Sequence, residues 1–148
     1  MWHWKNKLPF PHTVVVGDQV FISGQQTLDG NGVVLNPGDI AAQTHNVFEN
    51  MKKCLAMLDM ELSDLVRLNT YYVFEGNDTD ATAYWEDMTR VRLEYFPDPG
   101  PAATAVRVKG MPYKDQLIQI EGVALKGDSR RNRQRIMPAK SWDWSIPV

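Results

Sequence analysis

The chain holds a single cysteine, Cys54, which is too few for an internal disulfide framework or a Cys-based zinc site. One thiol says little about redox compartment. No apolar run approaches the ~18 residues needed to span a membrane. No apolar h-region follows Met1-Trp2-His3-Trp4-Lys5, so no signal peptide is expected and a cytoplasmic location is the default. Charge of one sign is also lacking overall, with 16 Lys/Arg against 18 Asp/Glu and a net charge of −2. Its distribution is uneven. Residues 1–125 carry 10 Lys/Arg and 16 Asp/Glu, a balance of −6, whereas residues 126–148 carry 6 and 2, a balance of +4. A nucleic-acid protein usually presents a basic face on its folded body, so an acidic body argues against such a partner. The cluster Arg130, Arg131, Arg133 and Arg135 reads as a solvated tail, with a phosphate-binding arm as the alternative.

What is present suits one domain. The chain has 148 residues, 43% of them hydrophobic, enough for a core without staples. The domain is assigned to residues 1–125 and a basic, Trp-containing extension to 126–148. His12–Val16 and Gln19–Ser23 flank Gly17-Asp18 and predict a hairpin. Asp29-Gly30-Asn31-Gly32 is a turn leading into Val33-Val34-Leu35, a third short strand. Asp39 is placed to cap a helix whose apolar stripe is Ile40, Val47, Met51, Leu55 and Leu58, with Thr44 and Cys54, through Met60.

Leu65–Val73 is β-rich, and Asn77-Asp78 opens a second helix running to Phe96. Along one face it carries Trp85, Met88, Val91 and Tyr95, and Pro97, Pro99 and Pro101 end it. Ala103–Lys109 and Gln116–Leu125 both alternate and predict a closing pair of central strands. In such a pair Val106 and Val108 face with Ile118 and Ile120, while Ala103, Ala105, Arg107 and Lys109 face with Gln119 and Glu121. The order is ββ(β)αβαββ, an α+β mixed sheet with two helices on one face. The small and polar second face suits neither a monomer core nor a solvated surface, and is expected to meet another subunit.

Four segments, read together, resemble the RidA/YjgF family of enamine/imine deaminases. They are Val20-Phe21-Ile22-Ser23-Gly24-Gln25; Ala42-Gln43-Thr44 with Glu49-Asn50-Met51-Lys52; Pro101-Ala102-Ala103-Thr104-Ala105-Val106; and Ile118-Gln119-Ile120-Glu121-Gly122-Val123-Ala124. The resemblance covers roughly residues 10–125. It implies a chorismate-mutase-like fold, a homotrimer, and three clefts between subunits that bind a small molecule. Active members of the family hydrolyse 2-aminoacrylate and related 2-imino acids. An arginine in a Pro-x-Arg-x-x-Val motif grips the substrate carboxylate through its planar fork, and a glutamate on the last strand handles the water. No cofactor is implied.

Three positions test the carry-over. Glu121 keeps the glutamate, but Ala103 stands at the arginine position. Phe10 stands where the family usually has a tyrosine, so a hydroxyl is missing. Ser23, Gly24, Ala103 and Ala105 are then expected to shape the cleft, and activity on 2-imino acids to be poor or absent. Glu121 either orients water or pairs across a subunit seam. Arg107, expected diagonal to Glu121, is a substitute anion binder or an ordinary ion-pair partner.

Cys54 reads as a small core residue rather than a nucleophile. His45 and Glu49 stand one helical turn apart without a third ligand, so no metal site is expected. Gly30-x-Gly32 is a turn with no phosphate-loop context. Trp2-His3-Trp4 and Trp142-Asp143-Trp144 mark either a unit of a tandem array or two aromatic tails packed on the domain. Three functions remain: a hydrolase of an enamine or imine (aminomuconate-type intermediates being the concrete case), a non-catalytic metabolite-binding trimer, and an RNA-acting translation inhibitor or endoribonuclease. The acidic body and the lack of a His/Lys constellation argue against the third.

Overall fold

Asp39 starts the first helix as expected. Its carboxylate accepts from the Ala42 amide at 2.9 Å, satisfying one of the orphan donors of α1, Ile40–Ala56. The structure, a computed structural model, describes residues 10–96 and 100–127. The paired Trp motifs, the basic cluster and the 128–148 stretch of the extension lie outside the described residues. The remaining elements are β1, Thr13–Val16; β2, Gln19–Gln25; β3, Leu65–Val73; α2, Asp78–Tyr95; β4, Ala102–Val108; and β5, Ile118–Leu125. A 3₁₀ turn over Leu62–Asp64 precedes β3. None of the described helices is long and apolar enough to cross a membrane.

β1 and β2 form the hairpin, with Val16 opposite Gln19 and Gly17 at φ +60, a backbone region that glycine enters without a Cβ penalty. Val33–Leu35 does not extend the sheet. It contributes only an isolated bridge, Leu28 to Val34, because this segment instead closes on the Asp29 turn. The Asp29 carboxylate accepts from the Asn31 and Val33 amides at 2.7 and 2.8 Å. α1 also stops short of the predicted Met60. Asp59 adopts φ +54 and the Met60 amide returns to the Leu55 carbonyl, so Leu58 packs from a turn. Asn77 caps α2 by accepting from the Asp80 amide at 2.9 Å.

The five-stranded sheet runs β1-β2-β5-β3-β4. β5 is the central strand, antiparallel to both β2 and β3, while β4 is an edge strand parallel to β3. The predicted β4–β5 hairpin is therefore absent. The physical reason is α2: a helix between β3 and β4 carries the chain back to its starting end, and a parallel pair needs such a crossover. β5 takes the centre because its alternate residues Ile118, Ile120, Gly122 and Ala124 are all buried beneath the helices. β4 buries none of its residues and can stand at the edge.

The correction flips a face. Ala103 pairs with Leu68, Ala105 with Thr70 and Arg107 with Tyr72, and these β3 partners pair in turn with Gly122, Ile120 and Ile118. Ala103, Ala105 and Arg107 thus stand on the helix side. Glu121 pairs with Asn69, which pairs with Thr104, and Gln119 is linked through Tyr71 to Val106. Alternation fixed only the relative faces within each strand. Shifting the pairing by one residue moves a whole set to the other side.

Both helices lie on one face, as expected. α1 buries Val47, Phe48, Met51 and Leu55 against Val20, Ile22, Leu65, Leu68, Ile118 and Ile120 of the sheet. Burying a side chain such as Phe48 or Leu68 contributes roughly 1.5–3 kcal/mol. α2 adds Met88 and Val91, and Phe96 meets Phe48 edge-on at 5.4 Å between centroids. Trp85 remains 39% exposed and stacks obliquely on Tyr72. Cys54 is a core residue, buried at 5% exposure, and burial pushes its thiol above the usual range.

Candidate functional site

Among the described residues nothing covers the sheet face away from the helices, and this face carries the candidate site. β5 brings Glu121 to its middle, half-buried, with β3 alongside. Alternation along β3 puts Arg67, Asn69 and Tyr71 on the same face. Glu121 Oε1 accepts from Asn69 Nδ2 at 2.8 Å and from the Tyr71 hydroxyl at 3.2 Å. Asn69 Oδ1 in turn accepts from Arg67 Nε at 3.3 Å. The Glu121 charge, and the hydrogen bond to it, push the Tyr71 phenol above its ordinary value. Among the described residues Glu121 Oε2 takes no hydrogen bond, so one carboxylate oxygen is held and the other is open.

A cavity of about 280 Å³ opens over this group, lined by Val14, Phe21, Ser23, Arg67, Asn69, Glu121 and Val123. Its wall at Ser23 is fixed from behind. The Ser23 amide donates to the His12 carbonyl at 2.9 Å and its hydroxyl to the Pro11 carbonyl at 2.8 Å. Gly24 is next to it for a steric reason. A Cβ there would stand 2.0 Å from Gln119 Nε2, and the space lets Gln119 accept from Gln26 at 3.3 Å. Such a site can orient a water on an open carboxylate oxygen and hold an anion at Arg67.

Of the residues expected at the site, the structure brings Ser23, Gly24 and Glu121 to this face. Phe10 begins the described chain and is 55% exposed, near the Pro11 carbonyl that Ser23 uses. Ala103 and Ala105 are separated from Glu121 by the thickness of the sheet, so residue 103 can share a cleft with Glu121 only across a subunit seam. Arg107 is not diagonal to Glu121. Its guanidinium donates to the Phe74 and Gly76 carbonyls at 3.1 and 3.2 Å and pairs with Asp78 at 3.2 Å, fastening the β3–α2 turn. The ion-pair reading of Arg107 is the one the contacts support.

Arg67, Asn69 and Tyr71 were missed by the sequence reading. The signal was the alternation of Leu65–Val73, which becomes informative once β3 is known to pair with β5. His45 and Glu49 converge on Tyr95. His45 Nδ1 lies 3.1 Å from the Tyr95 hydroxyl, which donates to Glu49 at 3.0 Å. Burial and Glu49 push Tyr95 up to about 12. Among the described residues no group of three or more His, Cys, Asp or Glu is placed to hold a metal ion.

Comparison with known proteins points to one family. Residues 5–126 match the sequence profile of the family described as Endoribonuclease L-PSP. A RutC family protein of Pyrococcus horikoshii is 36% identical over 118 residues, covering 80% of this chain and 87% of that protein. The 3-aminoacrylate deaminase RutC of Acinetobacter baylyi is 34% identical over 116 residues, covering 78% and 86%. Among solved structures, RidA of an Antarctic Psychrobacter superposes with a TM-score of 0.67 at 27% identity, covering 80% and 89%. A match over 5–126 with relatives of this kind shows the family: the chain is a member of the RidA/YjgF (Endoribonuclease L-PSP) family.

Proposed function

We propose that the protein hydrolyses an enamine or imine metabolite to a carbonyl compound and ammonia, in clefts between the subunits of a homotrimer. The observation that carries this reading is the half-held carboxylate of Glu121, at the centre of an uncovered sheet face and over a cavity. The substrate reacts as the N-protonated imine, which an enamine becomes when a proton adds to its carbon. Water held on Glu121 Oε2 attacks the C=N carbon and gives up a proton to the carboxylate. The resulting carbinolamine takes that proton on nitrogen; its hydroxyl proton then passes to the regenerated Glu121 carboxylate as the C–N bond breaks, ammonia leaves and the C–O bond becomes a carbonyl. Atoms balance as imine plus water to carbonyl plus ammonia. A relative at 34% identity is named as a deaminase of 3-aminoacrylate, which supports the reaction class.

What the face exposes supports association of copies, and the family resemblance makes the assembly a trimer. Val14, Phe21 and Val106 are 45%, 42% and 45% exposed on a sheet side over which the described residues place no second layer. An apolar sheet face is stable when covered, and two strand edges and a polar centre leave room for clefts at the seams. Light scattering at micromolar concentration should give three times the 16.9 kDa chain mass; a monomer mass would end this claim.

Ala103 narrows substrate choice within the class. With no fork at that position to hold an α-carboxylate, 2-aminoacrylate should be a poor substrate, and an aminomuconate-type enamine is a better fit. The same lack favours one other reading, a trimer that binds a metabolite without turning it over. Ammonia release across a panel of enamines separates the two. Release from at least one member is expected; binding without release across the panel would favour the second reading. An RNA-acting role is opposed by the acidic balance of residues 1–125.

A further inference from the structure

We infer that Arg67 binds the substrate carboxylate, and that its position selects enamines or imines whose carboxylate is at least one carbon removed from the nitrogen-bearing carbon. This rests on the deaminase reading and adds to it the residue that recognises the substrate and the shape of what is recognised. Three features carry it.

The first is availability. Among the described strand residues of the Glu121 face, Arg67 is the one cation. Its exposed guanidinium makes a single hydrogen bond among the described residues, from Nε to Asn69, so both terminal nitrogens are free. Two parallel donors of that kind match a carboxylate. Arg107, the other arginine in this part of the sheet, is committed to Phe74, Gly76 and Asp78 on the opposite side. The second feature is the surroundings. Arg67 lines the same cavity as Glu121, and Val14, Phe21 and Val123 form its apolar wall. Such a wall gives a short carbon chain an apolar surface to lie on.

The third feature is spacing. The Asn69 amide lies between the two charges, accepting from Arg67 at 3.3 Å and donating to Glu121 at 2.8 Å. A molecule that pairs with Arg67 and also offers its C=N carbon to a water on Glu121 must span that amide. In a 2-imino acid the carboxylate is bonded directly to the reacting carbon. Placing that carbon at the water then brings the carboxylate toward Glu121, a like charge. One or more intervening carbons remove the conflict. Position 103 is not needed for such a substrate, which accounts for alanine being tolerated there.

The test compares chain length and charge. Calorimetry on the wild type would use 3-hydroxypropanoate, its uncharged amide, and lactate, a 2-hydroxy acid. The 3-hydroxy acid should bind most tightly, with the amide and lactate weaker by roughly 10–100-fold, the range of one charge-assisted pair. Arg67→Gln should lose the preference for the acid over the amide, and Arg67→Lys should keep part of it. In the ammonia assay Arg67→Gln should raise KM for 3-aminoacrylate by a similar factor with kcat little changed, the mark of binding shared by ground and transition states.

Equal binding of acid and amide by the wild type, or a preference for lactate, would overturn the inference without any variant. So would an Arg67→Gln protein that binds the acid as the wild type does. A wild type that releases no ammonia from any enamine would end the deaminase reading alone. The calorimetric comparison would still decide Arg67.

Discussion

Glu121→Gln should slow ammonia release from whatever enamine the protein accepts by about 10²–10⁴-fold, the usual reach of a positioned general base. Glutamine keeps the size of the side chain and can still accept from Asn69 and Tyr71, as the carboxylate does at 2.8 and 3.2 Å. It cannot take a proton from water. The loss should therefore fall on kcat, with product binding and the trimer unchanged. An independent readout comes from Tyr71, whose phenol is held above its ordinary value chiefly by the Glu121 charge. Removing that charge should bring the Tyr71 transition down in an ultraviolet titration, with Tyr71→Phe identifying it. A fall in the Tyr71 transition without loss of turnover would show that Glu121 occupies the observed place but does no chemistry. Turnover lost together with the trimer would show a seam contact instead.

The elements were legible because each carried its own local signal. Asp39 and Asn77 both cap the helices they were expected to cap, and Gly17-Asp18 makes the expected turn. Cys54 sits in the core as its place on the α1 stripe indicated. What the sequence left open was strand pairing. Ala102–Val108 and Ile118–Leu125 both alternate, and each alone is compatible with either face. Their partners are chosen by the α2 crossover and by burial of Ile118 and Ile120, neither of which is local to β4. That choice moved Arg107 away from Glu121 and brought Arg67, Asn69 and Tyr71 toward it. Glu121 was legible because a carboxylate in a central strand needs a partner; which partners it has depends on β3.

Ala103→Arg should raise kcat/KM for short 2-imino acids by about 10–100-fold over a slow wild type, the worth of one charge-assisted contact. The place of the side chain makes this a test of assembly as well as of chemistry. Ala103 is exposed on the edge strand and stands on the helix side through its pairing with Leu68. Within one subunit the new guanidinium could not reach Glu121. It can do so only if the β4 edge of one subunit borders the Glu121 face of the next. Because the position is exposed, the substitution should cost little stability, unlike a cation placed in a dry core. Arg92, whose guanidinium donates to the Pro101 carbonyl at 3.2 Å two residues before position 103, is a like charge in the same stretch of chain. The measurement is 2-keto acid formation in a coupled imine-generating assay, with Glu121→Gln added to the variant as control. A folded, trimeric variant with no gain would place residue 103 outside the cleft. Wild-type activity equal to that of the variant would mean that Arg67 serves α-carboxylates as well, and the spacing set by Asn69 would not discriminate.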